Sequence, residues 1–191
     1  MKYNSQNYKF VFALVDGSNK QERITNGVEW MICWLKFKAM CNQTGSVIFD
    51  IDDTLVDGKE KPIASMLKLY KLCIALDFTV NIITARPESR NNRKETAQMI
   101  HENGIRTYEA LYMMPSDWNT TASNISIYKA NARADVASRH NILANCGDMW
   151  TDHIKYPTSL KELNDRDVEE TAIYFLPGQS FPCFKLPGDL G

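Results

Sequence analysis

Short apolar runs that end in polar residues recur along this chain at intervals long enough for a helix, and that recurrence restricts the fold more than any other feature. The runs lie at 47–49, 78–84, 108–114, 142–146 and 172–176, and turn-forming residues bound most of them. Runs of this kind read as buried strands. Between them the pattern predicts helices over 63–77, behind Pro62, from the turn at 86–89 to about 103, stopped by Gly104, and from 125 to about 140. Strands alternating with helices at this spacing predict an α/β fold: a right-handed, doubly wound, Rossmann-like parallel sheet of about five strands flanked by helices. An earlier run at 10–15 also has strand character, and the Pro/Gly-rich residues after 176 read as a tail.

The first of these strands leads straight into carboxylates. Val47-Ile48-Phe49 is followed by Asp50-Ile51-Asp52-Asp53-Thr54, and in an open parallel sheet the carboxyl ends of strands are where ligands bind. On an extended chain the period-two spacing of Asp50 and Asp52 turns both side chains to one side, where two carboxylates call for a cation or a shared proton. A lone D-x-D-x-T is most often a solvated turn; the buried strand before it gives it weight. The other strand ends add Thr84 after the second run and Asp148 and Asp152 after the fourth, with Lys129 in the preceding helix. Gathered at one sheet edge, these carboxylates offer an oxygen site for a hard cation, best matched by Mg²⁺, while a hydroxyl and an ammonium suit a phosphate. These are the parts that phosphoryl transfer needs. His101, His140 and His153 are scattered and form no evident triad with a serine or cysteine.

Composition narrows the field. In 191 residues, 22 basic side chains balance 23 acidic ones, so no global charge points to nucleic acid or membrane. The odd number of widely spaced cysteines predicts buried thiols in a reducing compartment rather than disulfides. Residues 1–9 are polar and lack the apolar core of a signal peptide, and no apolar run approaches a membrane span, so the expectation is a soluble, cytoplasmic protein with no membrane partner. Residues 28–41 form a helix apolar on most sides, which must be covered by the domain or by a partner and makes this helix the candidate surface for a homo-oligomer. The chain reads as one domain: an N-terminal extension over 1–45 that carries this helix, and a core over 46–191.

Taken in order, Asp50-Ile51-Asp52-Asp53-Thr54, Ile82-Ile83-Thr84, Lys129 and Gly147-Asp148-Met149-Trp150-Thr151-Asp152 resemble the four motifs of the haloacid dehalogenase superfamily of phosphatases. Thr84-Ala85-Arg86-Pro87-Glu88, Tyr128-Lys129 with Arg133, and Phe184-Lys185-Leu186-Pro187 are most similar to its small bacterial acid phosphatases and plant vegetative storage proteins. The resemblance implies an HAD-type core with Asp50 as a nucleophile that forms an aspartyl-phosphate and Asp52 as general acid and base. It implies Mg²⁺ held by Asp50, the Asp52 main-chain carbonyl and Asp148, with Asp152 acting through water, and Thr84 and Lys129 on the phosphoryl oxygens. The segments between motifs leave no room for a large cap. The expected substrate is a nucleotide or other small phosphate ester. Two alternatives stand beside it: a polynucleotide 3′-phosphatase, for which Arg86, Arg90, Arg93 and Lys94 would follow a nucleic-acid backbone, and a non-catalytic storage or binding protein on the same fold.

Overall fold

The structure is a computed structural model that describes residues 11–153, 171–176 and 179–188. Its elements in chain order are β1 (Val11–Leu14), α1 (Lys20–Met40), β2 (Ser46–Phe49), α2 (Ala64–Ala75), β3 (Thr79–Glu88), α3 (Arg90–Glu102), β4 (Ala110–Pro115), α4 (Ala122–Arg139), β5 (Ile142–Gly147), a 3-10 turn (Trp150–Asp152), β6 (Ala172–Phe175) and β7 (Pro182–Lys185). The seven strands form one sheet in the order β1-β6-β7-β5-β2-β3-β4. β7, β5, β2, β3 and β4 are parallel, and β6 runs antiparallel to both β7 and β1.

Alternation of side chains splits the core into two layers. From β2 and β3, Val47, Phe49, Val80 and Ile82 pack with Leu35 of α1, Leu69 of α2 and Ile100 of α3. Ile48 and Ile83 turn the other way and pack with Ala132 and Val136 of α4. Both faces of the central strands are therefore covered, as a parallel sheet requires. β2 lies between β3 and β5, so the strand order reverses at its carboxyl end, the position where open α/β sheets bind ligands.

Side-chain oxygens cap three helix starts: Asn19 accepts from the Glu22 N–H, Ser89 from Asn92 and Thr121 from Asn124. Gly104 follows α3 with φ +88, which confirms its role as a helix stop. Gly27 sits inside α1 because a Cβ there would collide with the Phe184 ring, so α1 lies directly on β7.

Several expectations are corrected. Among the described residues the sheet has seven strands rather than about five. β6 is antiparallel, and β7 falls in the stretch expected to be a tail. Pro182 stands at the first position of β7, where a missing N–H is tolerated, so Pro-rich composition did not prevent a buried strand. β3 runs past Thr84 to Glu88, with a register shift between Thr84 and Pro87 opposite β4. α1 begins at Lys20, two turns before its continuous apolar pattern. Cys33 and Cys41 are exposed rather than buried, and all five cysteines are free thiols. Among the described residues no helix is long and apolar enough to cross a membrane. The expectations for residues 1–10, including the polar start and the first residue of the earliest strand, lie outside the described residues.

Candidate active site

Asp50 follows β2 directly, and its main-chain N–H still donates to Cys146 O of β5 at 3.0 Å. The chain then curls instead of staying extended. Ile51 O accepts the N–H groups of Thr54, Leu55 and Val56, and Asp53 takes a left-handed φ of 50. Asp residues tolerate that conformation at turns better than most. The curl nevertheless leaves Asp50 and Asp52 lining the same cleft, of about 240 Å³, together with Lys129, Ala85, Ala122, Ile125, Met149 and Thr151.

At the buried end of the cleft, α4 presents Lys129, whose ammonium donates to Asp50 Oδ1 at 2.8 Å and to Asp152 Oδ1. The ammonium and both carboxylates are almost wholly buried. Asp152 is held at every polar atom of its acid: Oδ2 accepts the Met149 N–H at 2.9 Å, and its carbonyl accepts from Arg133 and, at 2.8 Å, from Asn145. Arg133 is one helical turn beyond Lys129, so one face of α4 grips both ends of the residue. His153 Nε2 donates to the Gly147 carbonyl and its Nδ1 accepts from the Asn145 amide, at 3.2 Å each. Position 147 must be glycine, since a Cβ would overlap the Asp152 carboxylate.

The electrostatics follow from burying several carboxylates beside one ammonium. Burial pushes Asp50 up to about 7, against the pull of Lys129, and the Asp152 charge adds to the rise. Burial likewise drives Asp148 well above the usual carboxylate range, helped by repulsion from Asp152 and Asp50. Asp152 moves the other way: burial opposes its charge, but the Lys129 ammonium and the Met149 N–H outweigh it. Lys129 is raised despite its burial, by Asp152 first and Asp50 second, and stays protonated. Burial lowers His153 to about 3, so its imidazole is neutral. One ammonium shared by two acids cannot neutralise three.

Asp50, Asp148 and Asp152 each offer an oxygen within 4.8 Å of the others. An all-oxygen, negatively charged, buried donor set fits a hard divalent cation. Asp148 accepts no hydrogen bond among the described residues, which leaves its carboxylate available as a ligand. Both oxygens of Asp152 already have donors, which fits a water-mediated role.

Asp52 is placed differently. Its side chain is half exposed and takes a forked contact from Arg86, with Nη2 at 2.6 Å and Nε at 3.1 Å. The same Nη2 reaches Glu60 at 3.1 Å, in the loop joined to Asp52 through Val56. The register shift after Thr84 turns Arg86 toward Asp52. Thr84 itself is buried beside the cleft, and its hydroxyl accepts the Arg86 N–H at 3.2 Å, keeping its own proton to donate. The fold thus gathers Asp50, Lys129, Asp148 and Asp152 at one point, with Asp52 at the mouth and Thr84 alongside. Asn145 and His153 had no sequence signal, because a polar residue inside a strand and a histidine after a turn have no periodicity of their own.

A family model described as HAD superfamily, subfamily IIIB (acid phosphatase) matches residues 55–162. The match begins just after the Asp50–Asp53 stretch and takes in Thr84, Lys129, Asp148 and Asp152. Acid phosphatase 1 of tomato, Solanum lycopersicum, is 30% identical over 112 residues, which is 56% of this chain and 42% of the tomato protein. The chain therefore matches less than half the length of that relative. With its family model covering more than half of the sequence, the chain belongs to the acid phosphatase subfamily IIIB of the HAD superfamily.

Proposed function

We propose that the chain is a Mg²⁺-dependent phosphomonoesterase that hydrolyses nucleotides or other small phosphate esters through an aspartyl-phosphate on Asp50. The observation that carries this reading is the Lys129 ammonium shared by the buried Asp50 and Asp152, with Asp148 adjacent and accepting no hydrogen bond among the described residues. A bound Mg²⁺, held by Asp50, Asp148 and the Asp52 carbonyl with Asp152 behind, would supply positive charge against the phosphoryl oxygens.

The chain's own residues would do the rest. An Asp50 oxygen attacks phosphorus as the ester P–O bond breaks, and Asp52 gives a proton to the departing oxygen. Asp52 then takes a proton from the water that attacks the aspartyl-phosphate, releasing phosphate and restoring Asp50. Lys129 and the Thr84 hydroxyl hold equatorial oxygens. Arg86 fixes the Asp52 carboxylate at the mouth, where a leaving group would pass.

Charge pairing favours small esters over a polynucleotide. Of the four basic residues after Thr84, Arg86 is tied to Asp52 and Glu60, and Arg93 to Glu88 at 2.7 Å. Of the four, this leaves Arg90 and Lys94 for a phosphate backbone. The intact Asp50, Asp52 and Lys129 speak against a purely storage or binding role.

The test is turnover of p-nitrophenyl phosphate by the purified chain, with Mg²⁺ and with chelator, and by Asp50→Asn. Activity that needs Mg²⁺ and disappears in Asp50→Asn supports the reading. Turnover that survives exhaustive chelation, or that persists in the variant, overturns it.

A further inference from the structure

The outer face of α1 carries an apolar row over about three turns, from Trp30 to Met40. Trp30, Phe37 and Met40 are 41%, 55% and 82% exposed, and Cys33 lies exposed between them. Large apolar side chains in a continuous row mark a contact surface, whereas single ones do not. The row is also ordered from within: Trp30 stacks on Trp34 with centroids 5.9 Å apart, and Trp34 is braced by Phe37, by Phe175 of β6 and by the Trp34 indole N–H on Leu143 O.

The charges beside the row indicate what covers it. Glu29 and Lys36 are seven residues apart, about two helical turns, so they lie on the same flank of the row. Glu29 meets Lys68 of α2 in a pair exposed on both sides, and Lys36 has no ion-pair partner among the described residues. When a helix packs antiparallel on a copy of itself about a two-fold axis, like flanks face each other. Glu29 of each copy then meets Lys36 of the other, and the axis passes between Ile32 and Cys33. The same register sets Trp30 opposite position 35 of the second copy, in the gap between its Cys33 and Phe37, as a knob enters a hole. One register satisfies both the charges and the aromatic packing.

We infer that α1 is a homodimer interface, an antiparallel pairing with α1 of a second copy of this chain. With a net charge of −1, the chain offers no long-range repulsion to self-association. The inference stands apart from the proposed reaction, since none of these residues lines the catalytic cleft.

The register makes an asymmetric prediction for the exposed thiols. At about 1.5 Å rise per residue, the two Cys33 positions lie about 1.5 Å apart along the helix axis and the two Cys41 positions about 25 Å apart. A short bismaleimide should join chains through Cys33, Cys33→Ser should abolish the product, and Cys41→Ser should not.

Sedimentation equilibrium of the full chain tests the rest. The parent should be dimeric at tens of micromolar, and Phe37→Asp monomeric. Glu29→Lys and Lys36→Glu should each weaken the dimer about tenfold, as two like-charge contacts replace two opposite ones, and the double variant should return to within about threefold of the parent. p-Nitrophenyl phosphate turnover by these variants checks that the fold is kept. A chain monomeric at about 100 µM overturns the inference, as does one that stays monomeric and co-sediments with phosphatidylcholine–phosphatidylserine vesicles. A dimer indifferent to Phe37→Asp, charge reversals that do not rescue one another, or cross-linking through Cys41 would each overturn it as well.

Discussion

Two ion-pair clusters stand at the same sheet edge, and they differ in almost everything but charge. Lys129 with Asp50 and Asp152 is sealed between α4 and the ends of β2 and β5. Arg86 with Asp52 and Glu60 is open to water at the mouth of the cleft. In the buried cluster each charge depends on its partners, because low dielectric strengthens both attraction and the penalty for an unpaired ion. In the exposed cluster, water screens the attraction and would replace a lost partner at little cost. Asp50, the proposed nucleophile, thus sits where geometry is rigid and charge is strained, and Asp52, the proposed proton-transfer group, where it can exchange with solvent.

The largest effect should come from cutting the buried cluster. Lys129→Met leaves two acids without their cation, so unfolding in urea without metal should show a loss of about 3–5 kcal/mol, with activity lost as well. A loss under about 1 kcal/mol would mean that the buried pair is no different from the exposed one.

Next in size is the leaving-group effect of Asp52. Asp52→Asn should reduce kcat/KM for alkyl phosphates by about 10²-fold or more, and for p-nitrophenyl phosphate far less, because a good leaving group needs little protonation. Equal losses on both esters would remove Asp52 from the acid role.

A proton and a cation compete for the buried acids, and this sets the pH dependence. Asp50 is raised in the fold from 3.8 to about 7, so its contribution to the stability of the metal-free fold is full below 3.8 and is lost as pH rises through about 7. His153 is lowered from 6.5 to about 3, so its contribution is present above 6.5 and is lost as pH falls toward 3. The two run in opposite directions over the same window, and the metal-free melting temperature should change little between pH 4.5 and 6.5 on their account. The Mg²⁺-induced rise in melting temperature reports the raised acids Asp50 and Asp148 together: it should be small at pH 5 and grow through pH 7 as protons leave. A rise equal at pH 5 and pH 8 would place the cation elsewhere.

The smallest effect belongs to Arg86. Arg86→Gln should change stability by less than about 1 kcal/mol, while lowering kcat for poor leaving groups by misplacing Asp52.

The buried cluster was the more legible of the two in the sequence. Asp50, Asp148 and Asp152 follow strand-like runs, and a parallel sheet brings such ends together wherever its strands lie. The grip of Arg86 on Asp52 was not legible, because it depends on a register shift that lengthens β3 beyond its apolar run. Strand direction was also hidden: nothing in Ala172–Phe175 distinguishes an antiparallel strand from a parallel one, and the partner that decides it, β7, is four residues starting with proline. Cys33 and Cys41 looked like core residues because they sit in an apolar run. The run belongs to a helix whose outer face the domain leaves open.

The central claim is that Asp50, held by Lys129 in the buried cluster, carries the phosphoryl group. The direct measurement is acid quench of the Asp52→Asn protein during turnover of p-nitrophenyl phosphate with Mg²⁺, followed by peptide mass mapping. Slowed hydrolysis of the intermediate should leave one phosphoryl group on the peptide that contains Asp50, absent when Asp50 is also changed to Asn. A phosphoryl group on any other residue, or none while ester cleavage proceeds, would contradict the account.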